Sequence, residues 1–158
     1  MPQENPREKA LTDLIRQVRT CFNQLRSLAE RLHYDLGINP SMRAVMESLA
    51  TRGAQTVPEI ARSKGVSRQH IQTVMNTLLE ECLVELRENP AHRRSPQFDL
   101  TITGRDVFTG IREREHAPLR RLATAVPARA LREARATLAA LNARLADEIA
   151  ATGGREDA

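Results

Sequence analysis

Residues 56–79 read TVPEIARSKGVSRQHIQTVMNTLL, and their reading decides the fold. Thr56 and Glu59 stand three apart, the spacing of a capping box, and Pro58 sits in a first turn whose N–H groups have no helical partner. A helix of about two turns follows through Ile60 and Ala61 to Gly65. Gly65-Val66-Ser67 then turns the chain, and Ser67 caps a second helix whose apolar residues Ile71, Val74, Met75, Leu78 and Cys82 step by three and four. Two helices around a short glycine turn read as helix-turn-helix.

The face opposite that stripe carries Arg68, Gln69, His70, Gln72, Thr73 and Asn76, all hydrogen-bonding groups. Between Glu59 and Glu80 there is no acid, while Arg62, Lys64 and Arg68 are cationic. Such a face tolerates phosphates. An arginine in the first turn opposes the helix dipole by about 0.3–1 kcal/mol, and a nearby polyanion reverses that sign. The bland alternative is a solvated face on a core helix.

Downstream, Leu83–Arg87 and Gln97–Thr101 alternate in polarity around a polar loop, which predicts a β-hairpin with a long tip. The tip, Asn89-Pro90-Ala91-His92-Arg93-Arg94-Ser95-Pro96, holds two adjacent arginines and no acid. Arginines on an extended loop beside a groove-seated helix are suited to a narrow minor groove.

Upstream, residues 11–32 place Leu11, Leu14, Ile15, Val18, Cys21, Phe22, Leu25, Leu28 and Leu32 on one helical stripe. Gly37–Pro40 break it, and Ser41 is expected to cap a short helix with Met42, Val45, Met46 and Leu49 on one side. After the hairpin, Thr101 or Thr103 caps a helix with Val107, Phe108, Ile111, Leu119 and Leu122. Pro118 is expected to kink or break it near Glu115. Pro127 opens a last helix carrying Leu131, Leu138, Leu141, Leu145 and Ile149. Residues 151–158 are expected to be a disordered tail. The first and last two helices are too apolar on one side to stay wet, and they most simply bury each other across a two-fold axis.

Composition agrees with this order of elements. The chain has 158 residues, 41% hydrophobic and 28% charged, with three Phe, one Tyr and no Trp, which suits one helical domain better than a β-sandwich or barrel. No stretch is long and apolar enough for a membrane span, and the start lacks a secretory signal, so a cytoplasmic place is expected. Cys21 and Cys82 form no CxxC or Cys/His cluster; neither zinc nor a disulfide framework is indicated, and both read as small core residues. Of 24 basic residues all but Lys9 and Lys64 are Arg, yet residues 40–104 hold eight Lys/Arg against seven Asp/Glu. Placement of charge therefore matters more than total charge.

The order of elements and the segment TVPEIARSKGVSRQHIQTVMNTLLEECLVELRENPAHRRSPQFDLTITG resemble the MarR family of winged helix-turn-helix transcription regulators. The resemblance covers about residues 11–150. It implies a mainly α fold with a small β-hairpin, ordered α-α-α-α-β-β-α-α. Residues 1–36 and 105–150 would be the helical dimerisation region, and 40–104 the winged helix-turn-helix lobe. It further implies a homodimer on double-stranded DNA, a repressor at an inverted repeat, with Arg68, Gln69, His70, Gln72, Thr73 and Asn76 in the major groove and Arg93 and Arg94 at the minor groove. A small phenolic or aromatic anion is the implied effector, for which Arg16, Arg26, His33, Tyr34 and Arg43 are the candidates. Where family wings commonly carry an Asp two residues before the groove arginine, this chain has His92 before Arg94. The position of the family's peroxide-sensing Cys corresponds to Ile15. An interaction module using the same helix face is the alternative to DNA binding. No catalytic triad, phosphate loop or carboxylate pair points to an enzyme, and no cofactor is implied.

Overall fold

A computed structural model describes residues 5–89 and 95–153. Its helices are α1 (Pro6–Leu32), α2 (Pro40–Arg52), α3 (Val57–Lys64), α4 (Arg68–Glu80), α5 (Ile102–Ala125) and α6 (Ala128–Gly153), with strands β1 (Val84–Arg87) and β2 (Gln97–Leu100) between α4 and α5. A 3-10 turn at Tyr34–Leu36, unforeseen in the sequence, follows α1. The chain divides into two units, Met1–Glu115 and His116–Ala158.

Local chemistry accounts for most boundaries. The Thr56–Glu59 capping box is formed in both directions, and Gly65 closes α3 in the left-handed region at φ 66°. The Ser67 hydroxyl accepts from the His70 N–H at 3.1 Å and starts α4. Thr101 does the same for α5, accepting from the Gly104 N–H at 2.9 Å.

Several expectations need correction. The cap of α2 is Asn39, which accepts from the Met42 N–H at 3.0 Å, and Pro40 rather than Ser41 opens the helix. Pro fits best directly after the cap, where its missing N–H costs nothing, so the cap moves one residue upstream of it. Helix α5 stays helical through Pro118, without the expected break; the ring removes one backbone bond, and the turns on either side keep theirs. The first three residues of the expected tail, 151–153, belong to α6, and 154–158 lie outside the described residues. Both cysteines are exposed rather than core. Cys21 lies on a helix with no buried residue. Cys82 falls beyond the end of α4, in a turn with φ 56°.

The core of the first unit gathers Ile38, Met42, Val45, Met46 and Leu49 with Ile60, Ile71, Met75, Leu78, Leu100, Phe108 and Ile111. Strands β1 and β2 pair antiparallel, Val84 opposite Leu100 and Arg87 opposite Gln97. Gln55 adds one residue of a third strand, exchanging both backbone hydrogen bonds with Phe98 at 3.0 and 2.8 Å. The Gln55 side chain is itself held by the Ser48 hydroxyl at 2.8 Å. The hairpin is thus stapled to the loop between α2 and α3.

At the hairpin base α5 passes so close that a Cβ on Gly104 would lie 2.0 Å from the Leu83 carbonyl oxygen, whereas one on Gly110 would meet nothing within 4 Å. Gly104→Ala must push backbone against backbone and should destabilise by about 1–3 kcal/mol or more. Gly110→Ala, in the same helix, should stabilise by about 0.5–1 kcal/mol. Paired thermal melts check this; equal effects of the two substitutions would remove the close approach as a constraint.

Candidate nucleic-acid interface

Helix α4 buries Ile71, Val74, Met75 and Leu78 and leaves Arg68, Gln69, His70, Gln72, Thr73 and Asn76 exposed. A helix of 3.6 residues per turn with four buried positions at i, i+3, i+4 and i+7 has no other way to point the remaining side chains. The Gln72 side-chain amide donates to the Asn76 side-chain oxygen Oδ1 at 2.9 Å, and the Thr73 hydroxyl donates to the Gln69 backbone carbonyl at 3.0 Å. Arg68 has no acid within ion-pair distance among the described residues.

The face lies between two grooves. On one side Arg68, Gln69 and Gln72 line a groove of about 560 Å³ with Val57, Leu86 and Ser95, between the start of α3 and the hairpin. On the other, His70, Thr73 and Thr77 line a groove of about 370 Å³ with Arg26 of α1 and Asn39 and Ser41 at the start of α2. Amide and hydroxyl groups that both donate and accept, on a helix held by its opposite side, can read base edges. His92, Arg93 and Arg94 lie outside the described residues. The hairpin base is described: buried Asp99 of β2 pairs with Arg105 of α5 at 2.8 Å and with Arg87 of β1 at 3.4 Å. Asp99 therefore ties the hairpin to α5.

The five effector candidates do not form one site. Arg16 pairs with Asp13 on α1 at 2.9 Å, Arg26 reaches Glu30 at 3.7 Å and lines the groove beside α4, and Tyr34 is 88% exposed. His33 and Arg43 do converge, but on a residue of this chain. The His33 Nε2 lies 3.0 Å from Glu115 Oε1, while Arg43 grips both oxygens of the same carboxylate through Nε at 2.5 Å and Nη2 at 2.7 Å. Beside it Arg114 holds both oxygens of Asp35, with Nη2 at 2.9 Å, and also donates to the Leu32 carbonyl at 3.2 Å. Consecutive residues of α5 thus clamp the junction between α1 and α2.

Sequence reading did not find Glu115 as a partner, though a signal existed: Phe108, Ile111 and Glu115 step by three and four, so the acid continues the buried stripe. A carboxylate there needs cations, and His33 and Arg43 supply the donors. Burial works to raise the Glu115 pKa, but hydrogen bonds and charge from Arg43 and His33 outweigh it and hold the carboxyl below its ordinary value. Its stabilising contribution is present above the unfolded-state value and is lost as pH falls through the folded one. The melting temperature of wild type should exceed that of Glu115→Gln most at neutral pH, and the gap should narrow as pH falls below the ordinary glutamate value of about 4.3. A gap that stays constant from pH 7 to 3 would contradict the assignment.

No protein-family model matches the sequence. Uncharacterised proteins of Mycobacterium tuberculosis and Mycobacterium bovis are each 46% identical to it over 91 residues, 58% of this chain. The chain spans 64% of the length of these curated relatives. Among solved structures, a MarR family transcription regulator superimposes with TM-score 0.75 at 26% identity, over 88% of this chain and 92% of the other. Staphylococcus aureus MarR, solved in complex with salicylate and kanamycin, gives TM-score 0.74 at 14% identity over 89% and 95% of the two chains. Staphylococcus aureus MepR, solved in complex with DNA, gives 0.73 at 13% over 82% and 95%. The chain has the winged-helix fold of MarR family transcription regulators. The solved structures it resembles are regulators rather than enzymes. Among the described residues, no helix is long and apolar enough to cross a membrane.

Proposed function

We propose that the protein is a dimeric, sequence-specific DNA-binding transcription regulator that acts as a repressor by occupying an inverted repeat. The observation that carries this reading is the outward face of α4, six hydrogen-bonding side chains without an acid, seated by four buried residues. Arg68, Gln69, His70, Gln72, Thr73 and Asn76 contact base edges and flanking phosphates, and Arg93 and Arg94 reach the neighbouring minor groove. MepR, bound to DNA on the same fold, supports it.

Dimer formation draws support from apolar surface. Leu11, Val18, Phe22 and Leu25 of α1 are exposed, Phe22 at 64%, as are Leu131, Leu145 and Ile149 of α6. Contiguous apolar side chains at helical spacing are rarely left in water, and a second copy covers them. Two α4 helices then lie about 34 Å apart, one duplex turn, which calls for two half-sites of the same sequence in opposite orientation. An aromatic anion is the effector class this reading carries, salicylate being what Staphylococcus aureus MarR holds. Of the five candidates Arg26 borders an open groove against α4, so an anion there touches His70 and Thr73 of the reading face.

Selection of bound fragments from random DNA should return a palindrome, and affinity should fall steeply with salt as phosphate contacts are screened. Gln69→Ala and His70→Ala should each lose about 5- to 150-fold on selected DNA, equivalent to about 1–3 kcal/mol, with little change on random DNA. Equal losses on both DNAs would sink the base-reading role. Phe22→Glu should dissociate the dimer in sedimentation and abolish tight operator binding together with it; a variant that stays dimeric would move the interface elsewhere.

A further inference from the structure

His33 and Arg43 make a complete receptor for a carboxylate. Arg43 presents the planar fork that grips both oxygens, at 2.5 and 2.7 Å, and His33 adds a third contact at 3.0 Å. The His33 side chain is 1% exposed, and its Nδ1 has no hydrogen-bond partner. Nε2 is the ring nitrogen aimed at the carboxylate, 3.0 Å from Oε1, and a proton on it is donated to that oxygen. The receptor is built from the end of α1 and the start of α2, and its occupant comes from another element, α5.

We propose that the His33–Arg43 pair is an internal carboxylate-binding site whose tethered ligand is Glu115, and that free carboxylates reach it only when the Glu115 side chain leaves. A tethered ligand needs no concentration to bind, so it excludes a free competitor of the same chemistry that binds on the order of millimolar. The Glu115 side chain is 12% exposed, so its removal opens the cradle to solvent rather than leaving a sealed void. Arg43 also reaches Glu47 on its own helix at 3.2 Å, but that acid is 46% exposed and engages a different nitrogen, Nη1, which leaves the fork facing Glu115 intact. This assignment stands on the described geometry alone and does not need the DNA-binding reading.

Chemical rescue tests it. Glu115→Ala, which deletes the tethered carboxylate, should lower the melting temperature and regain at least half of the loss on titration with acetate or benzoate, saturably, with sodium chloride as the control. Wild type should not respond beyond chloride, and Glu115→Ala combined with Arg43→Ala should show no rescue. In the rescued variant the His33 ring nitrogen resonances should return toward their wild-type positions. Lack of rescue, rescue that survives loss of Arg43, or a wild-type response equal to that of Glu115→Ala would each overturn the proposal. Should Glu115→Ala fail to fold, Glu115→Gln keeps the shape and loses the charge. Its His33 resonances should then depart from wild type, and unchanged resonances would overturn the proposal.

Discussion

Burial of the α4 stripe is the constraint from which the other features of the first unit follow. Thirteen residues are too few for a stable isolated helix in water. The helix exists because Ile71, Val74, Met75 and Leu78 are inserted among α2, α3 and the hairpin, each contributing about 1.5–3 kcal/mol of apolar burial. That insertion fixes the rotation of α4 about its axis. Rotation, more than identity, decides whether Gln69, His70 and Thr73 can work as a reading surface: turned by one residue step, the same amides would be buried without partners, at a cost of about 1–3 kcal/mol apiece.

The hairpin is held by three different kinds of contact. Backbone hydrogen bonds staple Phe98 to Gln55, an ion pair ties Asp99 to Arg105, and the missing side chain of Gly104 lets α5 touch the Leu83 carbonyl. Each joins the hairpin to a separate element. A two-stranded ribbon alone is marginal in water, and these ties keep its base in place. Asp99 matters doubly because His92 stands where an acid commonly braces the wing arginine in the family that the sequence resembles. Asp99 braces the base of the hairpin, through Arg105 and Arg87.

How much was legible depends on the range of the interaction concerned. Caps are written within four residues, so Thr56 and Ser67 are readable, and Thr101 is one of two candidates with Thr103 until its hydroxyl is seen to accept from the Gly104 N–H. Asn39 was missed because Ser41 is an equally good capping residue, and the choice rested on where Pro40 could sit. The buried stripe of α4 was readable as far as Leu78 and failed at Cys82, where the helix had already ended. Readings that needed a partner distant in sequence did worse. Arg43 and His33 are expected from sequence to meet an anionic effector; in the structure they meet Glu115, 72 and 82 residues away, and nothing local points to that partner. Cys21 was placed in a core because its neighbours Phe22, Val18 and Leu25 are apolar, and the structure leaves those neighbours exposed as well.

The ion pairs around Glu115 continue outward as a series: Glu115 to Arg43, Arg43 to Glu47 at 3.2 Å, Glu47 to Lys64 at 3.9 Å. Lys64 ends α3, one residue before the glycine that turns the chain into α4. The series therefore runs from α5 to the turn of the helix-turn-helix, but its links are unequal. Glu47 is 46% exposed, and a solvent-facing pair of this kind contributes about 0–1 kcal/mol. The bidentate Arg43–Glu115 contact, with the carboxylate 12% exposed, is the strong one. Energy put in at Glu115 is mostly spent on the position of Arg43, and little reaches Lys64. The contacts of α5 that bear on α4 lie in the core, where Phe108 and Ile111 join Met42, Val45 and Met46 with Met75 and Leu78, and side chains in a dense core transmit displacement where screened surface charges do not.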